Sequence, residues 1–233
     1  MTQRKSPERS IAGVEPFVTL PYALERGAPP FEGNDIKYPE SLVRHFLGRC
    51  TKPGDKVFDP FAGLGTTLFV AEEMRRVPFG IEHDTRRQEW VAGQLAHWTN
   101  LVNGDAAKAA SYGFPKMDFA MTSPPYMLRH HTWNPLREGN RAHAGYRAYL
   151  RDMERIFREV ARIMKRGSFI VVHADNLPGR TFTPLVRDLS LAIGRVLRLE
   201  METVVAWKGA PADCRHTHCL VFRVLPLPLV GRG

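Results

Sequence analysis

From Ile36 onward the 233-residue chain alternates short apolar runs with amphipathic stretches, and this alternation leaves few architectures open. Residues 56–59, 77–81 (closed by Glu82), 117–121 and 168–173 read as strands. Residues 41–47, 66–76, 85–98, 146–165 and 184–197 read as helices. The stretch 146–165 is the clearest helix, with Tyr149, Leu150, Met153, Ile156, Phe157, Val160, Ile163 and Met164 on one face, and Gly167 is expected to stop it. Two β-rich runs, 200–207 and 216–224, read as a closing hairpin. The pattern predicts an α/β fold: an open, mostly parallel, twisted sheet with a C-terminal antiparallel hairpin and helices on both faces. One domain is expected over 36–226. Residues 1–35, rich in Pro, Gly and charge, read as an irregular N-terminal arm, and 227–233 as a tail. Sheets of this kind bind ligands beyond the carboxyl ends of their strands.

The hydrophobic share, 43%, supplies a sizeable core and excludes a wholly disordered chain. No apolar run reaches the ~20 residues of a membrane helix, and the polar start shows no secretory signal. Three cysteines (Cys50, Cys214, Cys219) make no disulfide framework and fit a reducing interior. Lys and Arg number 33 against 24 Asp and Glu, a formal charge of +9 that points toward a polyanionic partner, nucleic acid first. A merely basic enzyme stays open on charge alone.

The segment 58–67, Phe-Asp-Pro-Phe-Ala-Gly-Leu-Gly-Thr-Thr, follows a strand and opens a helix. Gly63 and Gly65 let the backbone turn tightly and approach a ligand. The pattern is neither G-x-G-x-x-G nor a phosphate loop. Glu82, ending the next strand, can accept from a ribose diol, and Asp105 can accept from an exocyclic amine. Each signal alone is also compatible with an ordinary turn or a solvated strand end. In this order and spacing they describe a cofactor that contains adenosine and lacks phosphates.

Thr122 to Tyr126, Thr-Ser-Pro-Pro-Tyr, directly follows an apolar strand. Pro124 and Pro125 fix two φ angles and remove two donors, leaving a rigid rim of acceptors. Those acceptors are the Ser123 hydroxyl oxygen and the carbonyls of Ser123 and Pro124. Tyr126 adds a flat ring. A planar amine could be held edge-on by the acceptors and face-on by the ring.

With both turns in hand, the sequence resembles the DNA amino-methyltransferases, the family that methylates cytosine N4 or adenine N6 with S-adenosylmethionine. The segment 59–67 looks like the family's cofactor motif and 123–126 like its catalytic motif. The resemblance implies a Rossmann-like class I methyltransferase fold and assigns roles by position. Asp59, Pro60, Phe61, Ala62, Gly63, Gly65, Thr66 and Thr67 would form the cofactor turn. Glu82 would bind the ribose and Asp105 the adenine amine. Tyr38 and Pro39 match, loosely, a segment that also touches the cofactor; the family often has Lys directly before this Pro, and here Tyr38 intervenes. Ser123, Pro124, Pro125 and Tyr126 would be catalytic, Ser123 and Pro124 accepting from the target amine and Tyr126 stacking on an extruded base. The cofactor half precedes the catalytic half, the reverse of many members. Ser-Pro-Pro-Tyr resembles the cytosine-N4 subgroup, with adenine or an RNA substrate left open, as is a catalytically inactive nucleic-acid-binding module.

Residues 127–145 carry Arg129, His130, His131, Trp133, Arg137, Arg141 and His143 with Glu138 as the lone acid. Placed after the catalytic turn, they are candidates for contact with double-stranded DNA, as are Asn176 and Arg180 beyond the next strand. The arginines 147, 151, 155, 158 and 162 read better as the solvated face of the long helix. The spacing of Cys214, His216, His218 and Cys219 matches no common zinc pattern, and no metal is expected. A cytoplasmic, nucleoid-associated protein is expected, with the oligomeric state open to a homodimer.

Overall fold

The computed structural model describes residues 13–32, 37–211 and 214–225. The expected tail, residues 1–12 and 33–35 of the expected arm, and the domain's outer limits at 36 and 226 lie outside them.

A single eight-stranded sheet runs in the order β1-β7-β8-β6-β5-β2-β3-β4. The strands are β1 (Phe17–Pro21), β2 (Lys56–Asp59), β3 (Val77–Glu82), β4 (Leu101–Asn103), β5 (Met117–Thr122), β6 (Met164–Ala174), β7 (Arg198–Lys208) and β8 (His216–Arg223). β8 is antiparallel to both β6 and β7, and every other pairing is parallel. The expected α/β sheet with its C-terminal hairpin is therefore present. All six residues of β5 are buried, as a central strand covered on both faces requires.

Two helical layers cover the sheet. On one face, α4 (Gly145–Ile163) and α5 (Leu185–Ile193) bury Tyr149, Met153, Phe157, Val160 and Leu189 against Phe58, Ala120, Ile170 and Phe222. On the other, α1 (Glu40–Cys50) and α2 (Thr66–Glu73) bury Leu42, Val43, Phe46 and Val70 against Val57, Phe119, Val171 and Val221. α3 (Thr85–Ala92) closes a smaller cluster of Leu68, Phe69, Val91 and Leu101. Three of the arginines on α4 pair with acids of their own helix, Arg155 with Asp152, Arg158 with Glu154 and Arg162 with Glu159, which is the behaviour of a solvated face.

Three sequence expectations are corrected. Phe17–Pro21, assigned to the irregular arm, is an edge strand in parallel register with β7, Phe17 opposite Val204 and Pro21 opposite Lys208. The five residues show little apolar contrast, so their pairing with a strand about 190 residues away is a tertiary effect. Gly167 does not stop α4, which ends at Ile163 and passes directly into β6. At φ +75°, Gly167 sits where β6 slips register against β5 between Met117 and Phe119. The helix expected over 85–98 ends at Ala92, and the short strand β4 follows a single 3-10 turn at Trp98–Asn100.

Strand order reverses at the β2/β5 boundary: from β2 the sheet proceeds one way to β3 and β4, and the other way to β5 and β6. This reversal opens a crevice at the carboxyl edge, where open α/β sheets take their ligands.

Candidate active site

The glycine turn leaves the end of β2 and the Ser-Pro-Pro-Tyr turn leaves the end of β5, on either side of that crevice. Asp59 closes β2 and is buried. Its Oδ1 accepts from the Thr122 hydroxyl at 2.6 Å and from the Phe61 amide at 3.0 Å. Tyr38 Oη lies 3.5 Å from Asp59 Oδ2 and hydrogen-bonds Thr67, whose hydroxyl also reaches the Met121 carbonyl at 3.3 Å. Four polar side chains from α2, β2, β5 and the segment before α1 thus meet in one buried node between the two turns. Burial pushes the Asp59 carboxyl up to about 6 against the hydrogen bonds that favour its ionised form. Among the described residues no Lys or Arg pairs with it.

Gly63 adopts φ +52° and Gly65 φ +79°. A Cβ on Gly65 would lie 2.7 Å from Val91 and 2.8 Å from Phe69, so the fold demands glycine there. A Cβ on Gly63 would meet nothing nearer than the Phe61 carbonyl at 3.8 Å, which leaves the outer side of the turn open. Glu82 holds the turn from β3, its Oε2 accepting from the Gly63 amide at 2.7 Å and its Oε1 from the Asp84 amide at 2.8 Å. Burial raises its pKa. Asp105 Oδ1 accepts from the Ala107 amide at 2.8 Å just beyond β4. Pro39, Pro60, Ala62 and Thr66 are buried around the turn, and Phe61 is half-buried. Carboxylates therefore stand at the ends of β2, β3 and β4 in sequence. These acceptors could hold a cationic, phosphate-free nucleoside, with Asp59 facing an ammonium, Glu82 a ribose diol and Asp105 an adenine amine.

Across the crevice, Pro124 is buried and the Pro125 carbonyl accepts from Tyr149 Oη at 3.0 Å. That bond anchors the rim to α4 and leaves the Ser123 and Pro124 carbonyls without a donor among the described residues. Ser123 Oγ lies 3.4 Å from Tyr126 Oη and 3.1 Å from His173 Nδ1. Tyr126 is half-buried, and burial raises its pKa. Sequence reasoning placed His173 at the start of the second DNA-contact candidate, 173–182, and gave it no catalytic role; it gave no role to Thr217, which bonds the other nitrogen of that histidine at 2.7 Å. A lone histidine ending the otherwise apolar run 169–172 was the available signal.

Loops 127–145 and 175–183 pack together beside this rim, joined by the Arg129 amide to Thr183 Oγ1 at 2.9 Å. Arg129, His130, His131, Trp133, Arg141 and Arg180 are exposed on them. Two candidate residues face elsewhere. Arg137 makes a two-pronged bond to buried Asp152 at 2.5 and 2.9 Å, so its guanidinium is committed within the fold. Asn176 Oδ1 accepts from the Val186 amide at the start of α5.

Residues 19–92, which run from within β1 to the end of α3 and include the glycine turn and Glu82 but not the Ser-Pro-Pro-Tyr turn, match the model of the DNA methylase family N6_N4_Mtase. Forty-six residues are 41% identical to type II methyltransferase M.BglII of Bacillus subtilis, 20% of this chain and 13% of that protein. A second stretch of 56 residues is 38% identical to type II methyltransferase M.MjaI of Methanocaldococcus jannaschii, 24% of this chain and 18% of that protein. The resemblance to the DNA amino-methyltransferases holds. The matched stretches span less than a fifth of either relative. The family match supports S-adenosylmethionine as the cofactor, in accord with the acceptor set at the strand ends. Among solved structures, TrmN from Thermus thermophilus superposes with a TM-score of 0.58 at 18% identity, over 80% of this chain and 49% of its own. Precorrin-6y C5,15-methyltransferase from Geobacter metallireducens gives 0.52 at 14%, over 86% and 92%. At such identities the shared property is the fold.

Proposed function

We propose that this chain transfers a methyl group from S-adenosylmethionine to the exocyclic N4 amine of cytosine in DNA, acting on a base extruded from the duplex. The observation that carries this reading is the hydrogen bond between Thr122 and Asp59, which sets the cofactor turn and the Ser-Pro-Pro-Tyr turn side by side at the switch point. Residues 36–226, with β1 added, would form the catalytic domain.

An exocyclic amine is a weak nucleophile because its lone pair is delocalised into the ring. Acceptors on its two N–H bonds favour a pyramidal nitrogen and localise that pair. The Ser123 hydroxyl oxygen and the Pro124 carbonyl occupy the rim for this purpose, and they stabilise the positive charge that develops on nitrogen. The cofactor supplies an electrophilic methyl on a sulfonium. Asp59 would pair with its ammonium, Glu82 with its ribose and Asp105 with its adenine, which fixes the direction of attack. Removal of the last proton needs no strong base, since the methylated amine sheds it readily. Stacking on Tyr126 would offset part of the cost of extrusion, at roughly 1–3 kcal/mol per base. Its hydroxyl is tethered inward, so only the exposed part of the ring serves. Arg129, His130, His131, Trp133, Arg141 and Arg180 are the proposed DNA-facing set, in a cytoplasmic protein associated with the nucleoid.

The test is to incubate DNA with protein and S-adenosylmethionine, digest to nucleosides and identify the product by mass. N4-methylcytosine is expected. N6-methyladenine would move the target base and leave the chemistry intact. Cofactor binding without any methylated nucleoside, in DNA or RNA, would favour an inactive module.

A further inference from the structure

We propose that His173 is a positioning residue that holds the Ser123 hydroxyl as an acceptor toward the target amine, through an imidazole whose tautomer is set by Thr217. The inference rests on the methyltransferase reading above and assigns a role to a residue outside both motifs.

His173 lies near the end of β6, buried, between the catalytic turn and Tyr38, whose ring centroid is 5.2 Å away. Its Nδ1 stands 3.1 Å from both Ser123 Oγ and Tyr126 Oη, and its Nε2 stands 2.7 Å from Thr217 Oγ1. Asp175 Oδ2 is 3.8 Å from Nε2, beyond hydrogen-bond reach. Burial lowers the pKa of the ring and keeps it neutral, with one nitrogen donating and the other accepting.

Thr217 decides which. Its hydroxyl is buried on β8 and makes no other hydrogen bond among the described residues, and a buried O–H left unpaired is costly. It therefore donates to Nε2, and the ring proton sits on Nδ1. Every other proton of the cluster then has a place. Nδ1–H donates to Ser123 Oγ and is shared with Tyr126 Oη. The Ser123 O–H donates to Tyr126 Oη, and the Tyr126 O–H donates to the His173 carbonyl at 3.4 Å. Ser123 Oγ is left with one lone pair and no spare proton, so an incoming N–H meets an acceptor that has no alternative orientation. The opposite tautomer would strand the Thr217 proton and let the serine hydroxyl turn onto Nδ1.

Two measurements test this. Long-range proton–nitrogen NMR of the cofactor-free protein should show His173 with a pyrrole-type Nδ1 and a pyridine-type Nε2. A pyrrole-type Nε2 would overturn the assignment. In the nucleoside assay, His173→Leu should lower kcat about tenfold or more, the loss expected of a misplaced catalytic hydrogen bond, with S-adenosylmethionine affinity within about twofold of wild type. His173→Asn, which returns an N–H near the Nδ1 position, should recover most of that loss. Full activity in His173→Leu, or no recovery in a folded His173→Asn, would overturn the role while leaving the methyltransferase reading intact. A wild-type protein that methylates no nucleoside would overturn both.

Discussion

The Thr122 hydroxyl donates to the Asp59 carboxylate across 2.6 Å and ties the last residue of β5 to the last residue of β2. Each of these residues is followed at once by a candidate site turn, so the bond sets the distance between the glycine turn and the Ser-Pro-Pro-Tyr rim. It also places a carboxylate in a buried site with no cationic side chain as partner among the described residues. Such a group is unfavourable in the empty protein and useful when a cation arrives.

Replacing Asp59 by Asn keeps an acceptor for Thr122 and Phe61 and removes the buried charge. At pH 7.5 the empty variant is expected to be as stable as wild type or more so, by on the order of 1–3 kcal/mol given the displaced pKa. Its affinity for S-adenosylmethionine should fall at least about tenfold, because the ammonium loses its ionised partner. Thermal melts with and without cofactor, alongside titration calorimetry, check both halves. A variant that melts lower and binds normally would contradict this account of Asp59.

The same carboxyl predicts a pH dependence of definite sign. The folded state binds the Asp59 proton more tightly than the unfolded state, about 6 against an ordinary 3.8. Its contribution therefore disfavours folding increasingly as pH rises from about 4 to about 6 and is constant above that. Glu82, raised by burial, acts in the same direction. Glu72, Glu154 and Glu200, all lowered by their partners, act in the opposite direction and lose their contribution as pH falls. Subtracting the stability curve of Asp59→Asn from that of wild type isolates the Asp59 effect. Cofactor affinity of wild type should rise through pH 6 and flatten above it, and that of Asp59→Asn should lack the step.

Gly65 and Gly63 separate packing from binding. Gly65→Ala must hold an alanine at φ +79° with its Cβ pressed on Val91 and Phe69. A loss of about 2–4 kcal/mol is expected, seen as a melting temperature roughly 5–15 °C lower. Gly63→Ala pays only for its backbone angle, about 1 kcal/mol, because its Cβ would meet only the Phe61 carbonyl, at an ordinary 3.8 Å. That methyl would project on the open side of the turn, so this variant should lose more cofactor affinity than stability.

Much of this arrangement is legible in the sequence because it is local. The glycine turn of residues 58–67 and the proline rim of residues 122–126 each occupy ten residues or fewer, and alternation of apolar runs already orders most of the sheet. What escaped is non-local. β1 acquires strand structure only by pairing with β7. The tautomer of His173 depends on Thr217, 44 residues away. Arg137 looked like one more base in a basic loop, since nothing nearby announces that Asp152 on α4 would be buried opposite it.

Arg137 and Arg180 therefore make opposite predictions despite similar sequence settings. Arg137 holds Asp152 with two bonds, and Asn134 Nδ2 reaches the same carboxylate at 2.9 Å. Removing the guanidinium leaves a buried carboxylate with Asn134 and the more distant Arg155, 3.8 Å away. Arg137→Ala should cost about 1–3 kcal/mol of stability, discounted for the partial exposure of the arginine. The salt dependence of DNA binding should be unchanged. Arg180 makes no ion pair among the described residues and projects from the loop beside the rim. Arg180→Ala should leave the melting temperature alone and lower the slope of log affinity against log salt by about 0.9, the signature of one lost phosphate contact. Fluorescence anisotropy with duplex DNA across a salt series, paired with melts of both variants, checks the contrast. A slope change in Arg137→Ala without loss of stability would mean that loop 127–145 releases this arginine to the DNA.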